Sequence, residues 1–236
     1  KNIKKSYNDL LHSKTFSVGS FLSNNLPIKK QKKIYDIVYI STFRDSDDNF
    51  VINDKITLKD YLNSERKLIK HISKFSREHK KKFHILCTNK KYQREKEIKF
   101  FNNAIGVKNW KQIKRKSNDY RFTYKVVDKA NVIIGIDTTV LYESFARGTK
   151  TVFCDIRPSN KFLDKTRYFG WPKKFKKEGP FWTSNNGYYS IKKIMQNILN
   201  TNESKWKKIK KRYADDLMSY DSGNKTFKKI LKQTLI

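Results

Sequence analysis

The stretch Asn131-Val-Ile-Ile-Gly-Ile-Asp137-Thr138-Thr139-Val-Leu-Tyr-Glu143-Ser-Phe-Ala-Arg147-Gly148 carries the clearest structural signal in the chain. Its first part is apolar and β-branched, as expected of a strand buried on both faces. A polar turn follows, then a helical segment that opens on paired threonines. Gly148 fits the cap that ends such a helix, and Arg147 and Lys150 suit its negative end. Thr151-Val-Phe-Cys-Asp155 comes next and is again strand-like, so the unit is β–turn–α–β. Units of this kind build parallel sheets, which bind ligands outside the carboxyl ends of their strands.

The pattern repeats outward from this unit. Ile34-Tyr-Asp-Ile-Val-Tyr-Ile-Ser41 reads as another buried strand, followed by a polar loop through Arg44 and Asp45. Tyr61, Leu62, Leu68, Ile69, Ile72 and Phe75 recur at helical spacing. Phe83-His-Ile-Leu-Cys87 is a strand, Gln93–Ala104 a helix ending near Gly106, and Asp119–Lys129 a further helix. Strands alternating with helices predict an α/β, Rossmann-like parallel sheet with helices on both faces. Apolar stripes at Tyr188, Ile191, Ile194 and Ile198, and at Trp206, Ile209, Tyr213 and Leu217, add C-terminal helices. Thr15–Gly19 reads as a short strand. Residues 1–33 form a basic N-terminal segment and linker ahead of one domain over 34–236. From Arg157 to Trp182 the chain is long, basic and aromatic, and segments of that length usually carry function or cover something.

Composition bounds the partners. The net charge is +32, from 54 Lys and Arg against 22 Asp and Glu. Such a field attracts polyanions: nucleic acid, anionic lipid or phosphorylated sugars. The excess does not lie in the key unit. Between Asn131 and Arg157, Arg147, Lys150 and Arg157 balance Asp137, Glu143 and Asp155. Aromatic residues make up 14% of the chain, enough to argue for a packed core. Cys87 and Cys154 end apolar runs and read as buried reduced thiols, which points to a reducing compartment. No apolar run approaches the roughly 18 residues that cross a bilayer, and the first residues lack a signal-peptide core. The expected location is the cytoplasm, with peripheral attachment at the inner face of the membrane.

The candidate chemistry centres on the turn after the key strand. Thr138 and Thr139, at a helix start, bring hydroxyl oxygens and unpaired backbone N–H groups to one point that suits a phosphate. Asp137 shares that turn. With Thr139 as N-cap, Glu143 lies about one turn into the helix and can accept hydrogen bonds from ribose hydroxyls. Ordinary capping is the plainer reading of the same residues. Ser41, Thr42 and Arg44 follow the first strong strand and belong beside the same crevice if the two strands are neighbours. Arg44 suits a diphosphate, since a guanidinium grips phosphate bidentately. Arg157, Arg167, Trp171 and Trp182 could grip a sugar or a nucleobase, or simply pack under the loop.

Other chemistries find no motif. Asp45, Asp47 and Asp48 have no metal-ligand spacing, and no metal is expected. His12, His71, His79 and His84 accompany no nucleophile signature. With eight scattered glycines there is neither a dinucleotide fingerprint nor a P-loop.

The segment Val132-Ile-Ile-Gly-Ile-Asp-Thr-Thr-Val-Leu-Tyr-Glu-Ser-Phe-Ala-Arg-Gly-Thr-Lys-Thr-Val-Phe resembles the C-terminal, donor-binding domain of GT-B glycosyltransferases, above all those of bacterial surface-carbohydrate and capsule synthesis. Val18-Gly19-Ser20-Phe21 resembles the strand and turn by which such enzymes leave their N-terminal half, and Asp221-Ser-Gly-Asn224 a turn near their C-terminus. Asp137 stands where the family commonly has a small or polar residue. The resemblance implies a nucleotide-sugar donor, with Thr138 and Thr139 on its phosphate, Glu143 on its ribose or sugar, and Ser41, Thr42 and Arg44 on the opposite wall. It implies a saccharide or glycolipid acceptor and no further cofactor. Only residues 1–33 precede the first strong strand, so the N-terminal half is expected in a longer enzyme or a partner chain. Rival readings are a basic nucleic-acid-binding protein, a sugar-nucleotide epimerase and a non-catalytic assembly module.

Overall fold

The computed structural model describes residues 16–29, 31–46, 51–53, 56–88, 93–114, 119, 121–136, 138–157 and 168–234. A six-stranded sheet holds β1 (Tyr35–Ile40), β4 (Phe83–Leu86), β5 (Lys111–Ile113), β6 (Ala130–Gly135), β7 (Lys150–Cys154) and β8 (Trp182–Thr183). Their order is β5-β4-β1-β6-β7-β8, and every pairing is parallel. The α/β, Rossmann-like reading therefore stands. The chain builds outward from β1 to β5, then returns to the other side of β1 with β6. Strand order thus reverses between β1 and β6, which pair through Ile37 with Val132 and Tyr39 with Ile134.

The helices pack around this sheet: α2 (Leu58–Glu78), α3 (Arg94–Ile105), α4 (Arg121–Asp128), α5 (Thr139–Arg147), α6 (Tyr188–Asn200) and α7 (Glu203–Tyr213). Helix α2 starts on a capping box in which Thr57 and Asp60 satisfy each other's backbone N–H groups. Its apolar stripe, Leu58, Tyr61, Leu68, Ile69, Ile72 and Phe75, is buried against the sheet. Ile37, Val38, Tyr39, Val132, Ile133 and Ile134 are wholly buried in the two central strands, as continuous apolar runs require. Gly106, in the left-handed region at φ 79°, ends α3, and Gly148 at φ 92° ends α5. Cys87 and Cys154 are both buried, and neither is in a disulfide among the described residues.

Several elements differ from the sequence reading. Residues 16–20 are not a strand; they lead into the short helix α1 (Phe21–Asn24), capped by Ser20. The loop after β1 leads into a small antiparallel pair, β2 (Val51–Asn53) and β3 (Ile56–Thr57). A further helix, α8 (Lys225–Thr234), follows the 3-10 turn Ser222–Asn224. Between them α1 and that turn make a clasp: Asn24 Nδ2 donates to Asn224 Oδ1 at 2.9 Å, and Asn224 Nδ2 donates to Asn25 Oδ1 at 2.8 Å. Phe21 packs edge-on against Phe227. Arg147 ties the clasp to the domain. Its guanidinium pairs with Asp128, at 2.9 Å from Nε to Oδ1, and also donates to the Ser23 and Leu26 carbonyls.

The described part of the aromatic stretch before β8 is a cover. Phe169, Phe175, Phe181, Trp182 and Tyr213 pack on one another and on Phe153 of β7. Trp182 is buried in this cluster, and its indole N–H donates to the Lys176 carbonyl at 2.8 Å. Arg167, Asp47, Asp48, His12 and residues 1–15 lie outside the described residues. No described helix is long and apolar enough to cross a membrane.

Candidate functional site

In open parallel sheets ligands bind where the strand order reverses, outside the carboxyl ends of the flanking strands, which here are β1 and β6. Ser41 and Thr42 leave β1 on one wall, and Thr138 and Thr139 leave β6 on the other. The first strand thus neighbours the key strand, as the placement of Ser41, Thr42 and Arg44 beside this crevice required. Asp137 lies outside the described residues.

The N-cap of α5 is Thr138, one residue earlier than the sequence suggested. Its φ of −102° and ψ of 141° are extended, and its hydroxyl makes no capping hydrogen bond. The first-turn N–H groups are therefore not consumed by that side chain, and Thr139 is exposed beside them. Gly135 brings helix and strand close together, because a Cβ there would stand 3.1 Å from Leu141 Cδ1. Glu143 is buried and accepts a 2.5 Å hydrogen bond from Ser20 Oγ. The Tyr124 hydroxyl also bonds Glu143; burial, then the Glu143 charge, push its pKa up.

The opposite wall is fastened by two buried carboxylates. Glu97 accepts from Ser41 Oγ at 2.5 Å and from the Thr88 N–H at 3.0 Å. Glu65 accepts from the Tyr39 hydroxyl at 2.8 Å and from the Thr42 N–H at 3.0 Å. Glu65 is 0% exposed, and its second oxygen has no hydrogen-bond partner among the described residues. Burial pushes its carboxyl up to about 7, against the lowering effects of the Thr42 N–H, the Tyr39 hydroxyl and the Arg157 charge.

Arg157, just past β7, reaches across to β1. Its guanidinium lies 3.3 Å from the centre of the Tyr61 ring, donates to the Tyr61 carbonyl at 3.2 Å and to Thr42 Oγ1 at 3.4 Å. The Arg44 guanidinium stands 5.3 Å from the centre of the same ring and is exposed. The rim therefore carries guanidinium groups from the ends of β1 and β7, hydroxyls from the ends of β1 and β6, and the first turn of α5.

A family model described as "putative O-antigen biosynthesis protein" matches residues 1–235. The chain belongs to that family. Membership agrees with a place in surface-carbohydrate synthesis. No curated protein matches the chain.

In this member of the O-antigen biosynthesis family, the sequence reading missed Glu65, Glu97 and Tyr61 as parts of the rim. A signal for Glu65 was present. It stands four residues after Tyr61 and four before Ile69, in phase with the buried stripe of α2, where a charge has no reason to be unless it is paired. Glu97 stands likewise four residues before the buried Phe101 on α3. Of the two readings open for Arg157, a grip on a sugar or base and packing under the loop, its planar face is taken up by packing on Tyr61. The remaining histidines do ordinary work. His71 meets the Asn186 carbonyl at 3.0 Å, His79 meets Gln196, and His84 packs on Tyr35.

Proposed function

We infer that the chain binds the nucleotide-sugar donor of a glycosyl-transfer step in surface-polysaccharide or glycolipid synthesis, as the donor-binding half of a GT-B glycosyltransferase. The observation that carries this reading is the switch of strand order between β1 and β6, with hydroxyl residues on both walls and an open helix start on one. A diphosphate resting on the first turn of α5 would meet the Thr139 and Val140 N–H groups and the positive end of the helix, while the Leu141 N–H stays on the Thr138 carbonyl. Arg44 and Arg157 add charge-assisted donors from the β1 side. Together these groups would stabilise the charge that builds on a departing nucleoside diphosphate. Glu143, held by Ser20 and Tyr124, acts here as a positioning residue for α5. The acceptor, a saccharide or glycolipid, and an N-terminal half complete the active unit.

The test is thermal unfolding with a panel of nucleotide sugars, followed by calorimetry on the one that stabilises. Thr139→Ala, at an exposed position, should keep the fold and weaken the donor about tenfold, the loss of roughly one hydrogen bond to a charged group. If no nucleotide sugar raises the melting temperature at saturation, the reading is wrong. The net charge of +32 favours nucleic-acid binding as the rival reading. That rival predicts oligonucleotide affinity with a steep salt slope and no effect of Thr139→Ala.

A further inference from the structure

We propose that the amino edge of the sheet carries a second site, for a phosphorylated sugar, separate from the carboxyl rim. Two cavities lie there. One, of about 340 Å³, is lined by His79, Lys81, Asn131, Lys150, Gln196 and Asn200. The other, of about 280 Å³, is lined by Arg77, Lys80, Lys81, Lys82, Lys108 and Lys111. Lys81 lines both, so the two are adjacent. The placement is fixed by the fold: Lys81 and Lys82 lead into β4, Lys111 opens β5, Asn131 lies at the start of β6, and Lys150 opens β7. These are the strand ends opposite to those that carry Thr42 and Thr138.

The chemistry of the two linings differs in a way that selects a ligand. Side-chain amides both donate and accept, which matches the hydroxyls of a sugar. A cluster of ammonium and guanidinium groups matches a phosphate. Neither lining contains Asp or Glu. One molecule with hydroxyls at one end and phosphate at the other would satisfy both cavities through Lys81.

Structural duties account for only part of this charge. Arg77 donates to Ser73 Oγ at 2.9 Å and, in the last turn of α2, complements the helix dipole. The ammonium groups of Lys81, Lys82, Lys108 and Lys111 make no hydrogen bond or ion pair among the described residues. Asp36 accepts the Lys82 backbone N–H, not its side chain. Ser76, on the wall of the cationic cavity, holds a buried hydroxyl with no partner among the described residues. The site is poorly suited to nucleic acid, because its aromatic lining is not free to stack on bases. Trp110 is buried against Phe101 with its indole N–H on Asn102, and Phe75 is wholly buried.

Calorimetric titration of the full chain with glucose 1-phosphate, inorganic phosphate and glucose tests the proposal. Glucose 1-phosphate should bind about tenfold more tightly than inorganic phosphate, and glucose should give no heat. Lys81→Ala, and separately the pair Lys108→Ala with Lys111→Ala, should weaken glucose 1-phosphate about tenfold or more. These side chains are exposed, so the fold should survive their loss. The pair Lys207→Ala with Lys211→Ala, on the exposed face of α7, removes equal charge elsewhere and should change nothing. The binding that depends on Lys81, Lys108 and Lys111 should persist in Thr139→Ala, which separates this site from the donor reading. Co-sedimentation with phosphatidylcholine vesicles doped with a polyprenyl diphosphate sugar, lost on Lys81→Ala, would assign the sugar phosphate to a lipid carrier. Binding of the soluble compound alone would assign it to a free metabolite. The proposal is overturned if glucose 1-phosphate gives no saturable heat, if its binding is unchanged in the Lys81 and Lys108/Lys111 variants or falls equally with the α7 pair, or if only random oligonucleotides respond to the amino-edge variants.

Discussion

Glu65 Oε1 accepts the Thr42 backbone N–H at 3.0 Å, so a carboxyl group inside α2 fixes the first residues of the loop leaving β1. The contact joins the helix face to the crevice wall. It also places an ionisable group where water does not reach.

A pH-dependent stability follows from that burial. The Glu65 carboxyl is pushed up to about 7, whereas an unfolded glutamate titrates near 4.5. Through that window the folded chain keeps a proton that the unfolded chain has lost, so this contribution to stability is full below about 4.5 and is gone above about 7. The loss amounts to roughly 3 kcal/mol. Glu65→Gln keeps acceptors for Tyr39 and Thr42 and removes the charge. Urea unfolding should find the variant close to wild type near pH 5 and more stable near pH 8. An equal difference at both pH values would refute the assignment.

The Arg147–Asp128 pair offers a second test. The side chains are 1% and 8% exposed, and Arg147 also satisfies the Ser23 and Leu26 carbonyls. Arg147→Met strands a buried carboxylate and should cost about 3–5 kcal/mol in urea unfolding. Adding Asp128→Leu should recover part of the loss, and a double-mutant cycle reads the coupling.

Gly19 has φ 65°, and a Cβ added there would collide with the Ser219 carbonyl oxygen. Gly19→Ala should therefore destabilise by about 1–3 kcal/mol through strain and displaced backbone. Limited proteolysis should show earlier cutting around residue 219 in the variant than in wild type.

Arg157→Lys keeps the charge and loses the flat face that lies on Tyr61. Donor affinity should fall about tenfold and the urea midpoint should drop slightly. Unchanged affinity would remove Arg157 from the donor site while leaving the role of Thr139 to its own test.

The central strands were legible because Tyr35–Ile40 and Ala130–Gly135 are long apolar runs, and only a strand covered on both faces uses such runs. The edge strands were not. Lys111–Ile113 carries one buried side chain, and Trp182–Thr183 is a two-residue strand, so neither leaves a periodic trace. Thr138 and Thr139 stood out because hydroxyls mark a helix start, whether as a cap or beside a ligand. On the β1 wall Ser41, Thr42 and Arg44 were legible from their place after the first strand, but the reach of Arg157 was not: it meets Tyr61 and Thr42 across separations of 96 and 115 residues. The segment around Val18 leads into α1 instead of forming the expected strand, because Gly19 turns the chain at a left-handed φ and Ser20 caps the helix that follows.

The Asn24–Asn224 hydrogen bond spans 200 residues of sequence. Closing so long a loop costs little more entropy than closing one half as long, so a modest set of contacts can hold it. Release of either partner then frees both ends of the fold at once. Amide hydrogens in α1 and in the Ser222–Asn224 turn should accordingly exchange with solvent deuterium through one shared opening, at the same free energy, instead of fraying independently.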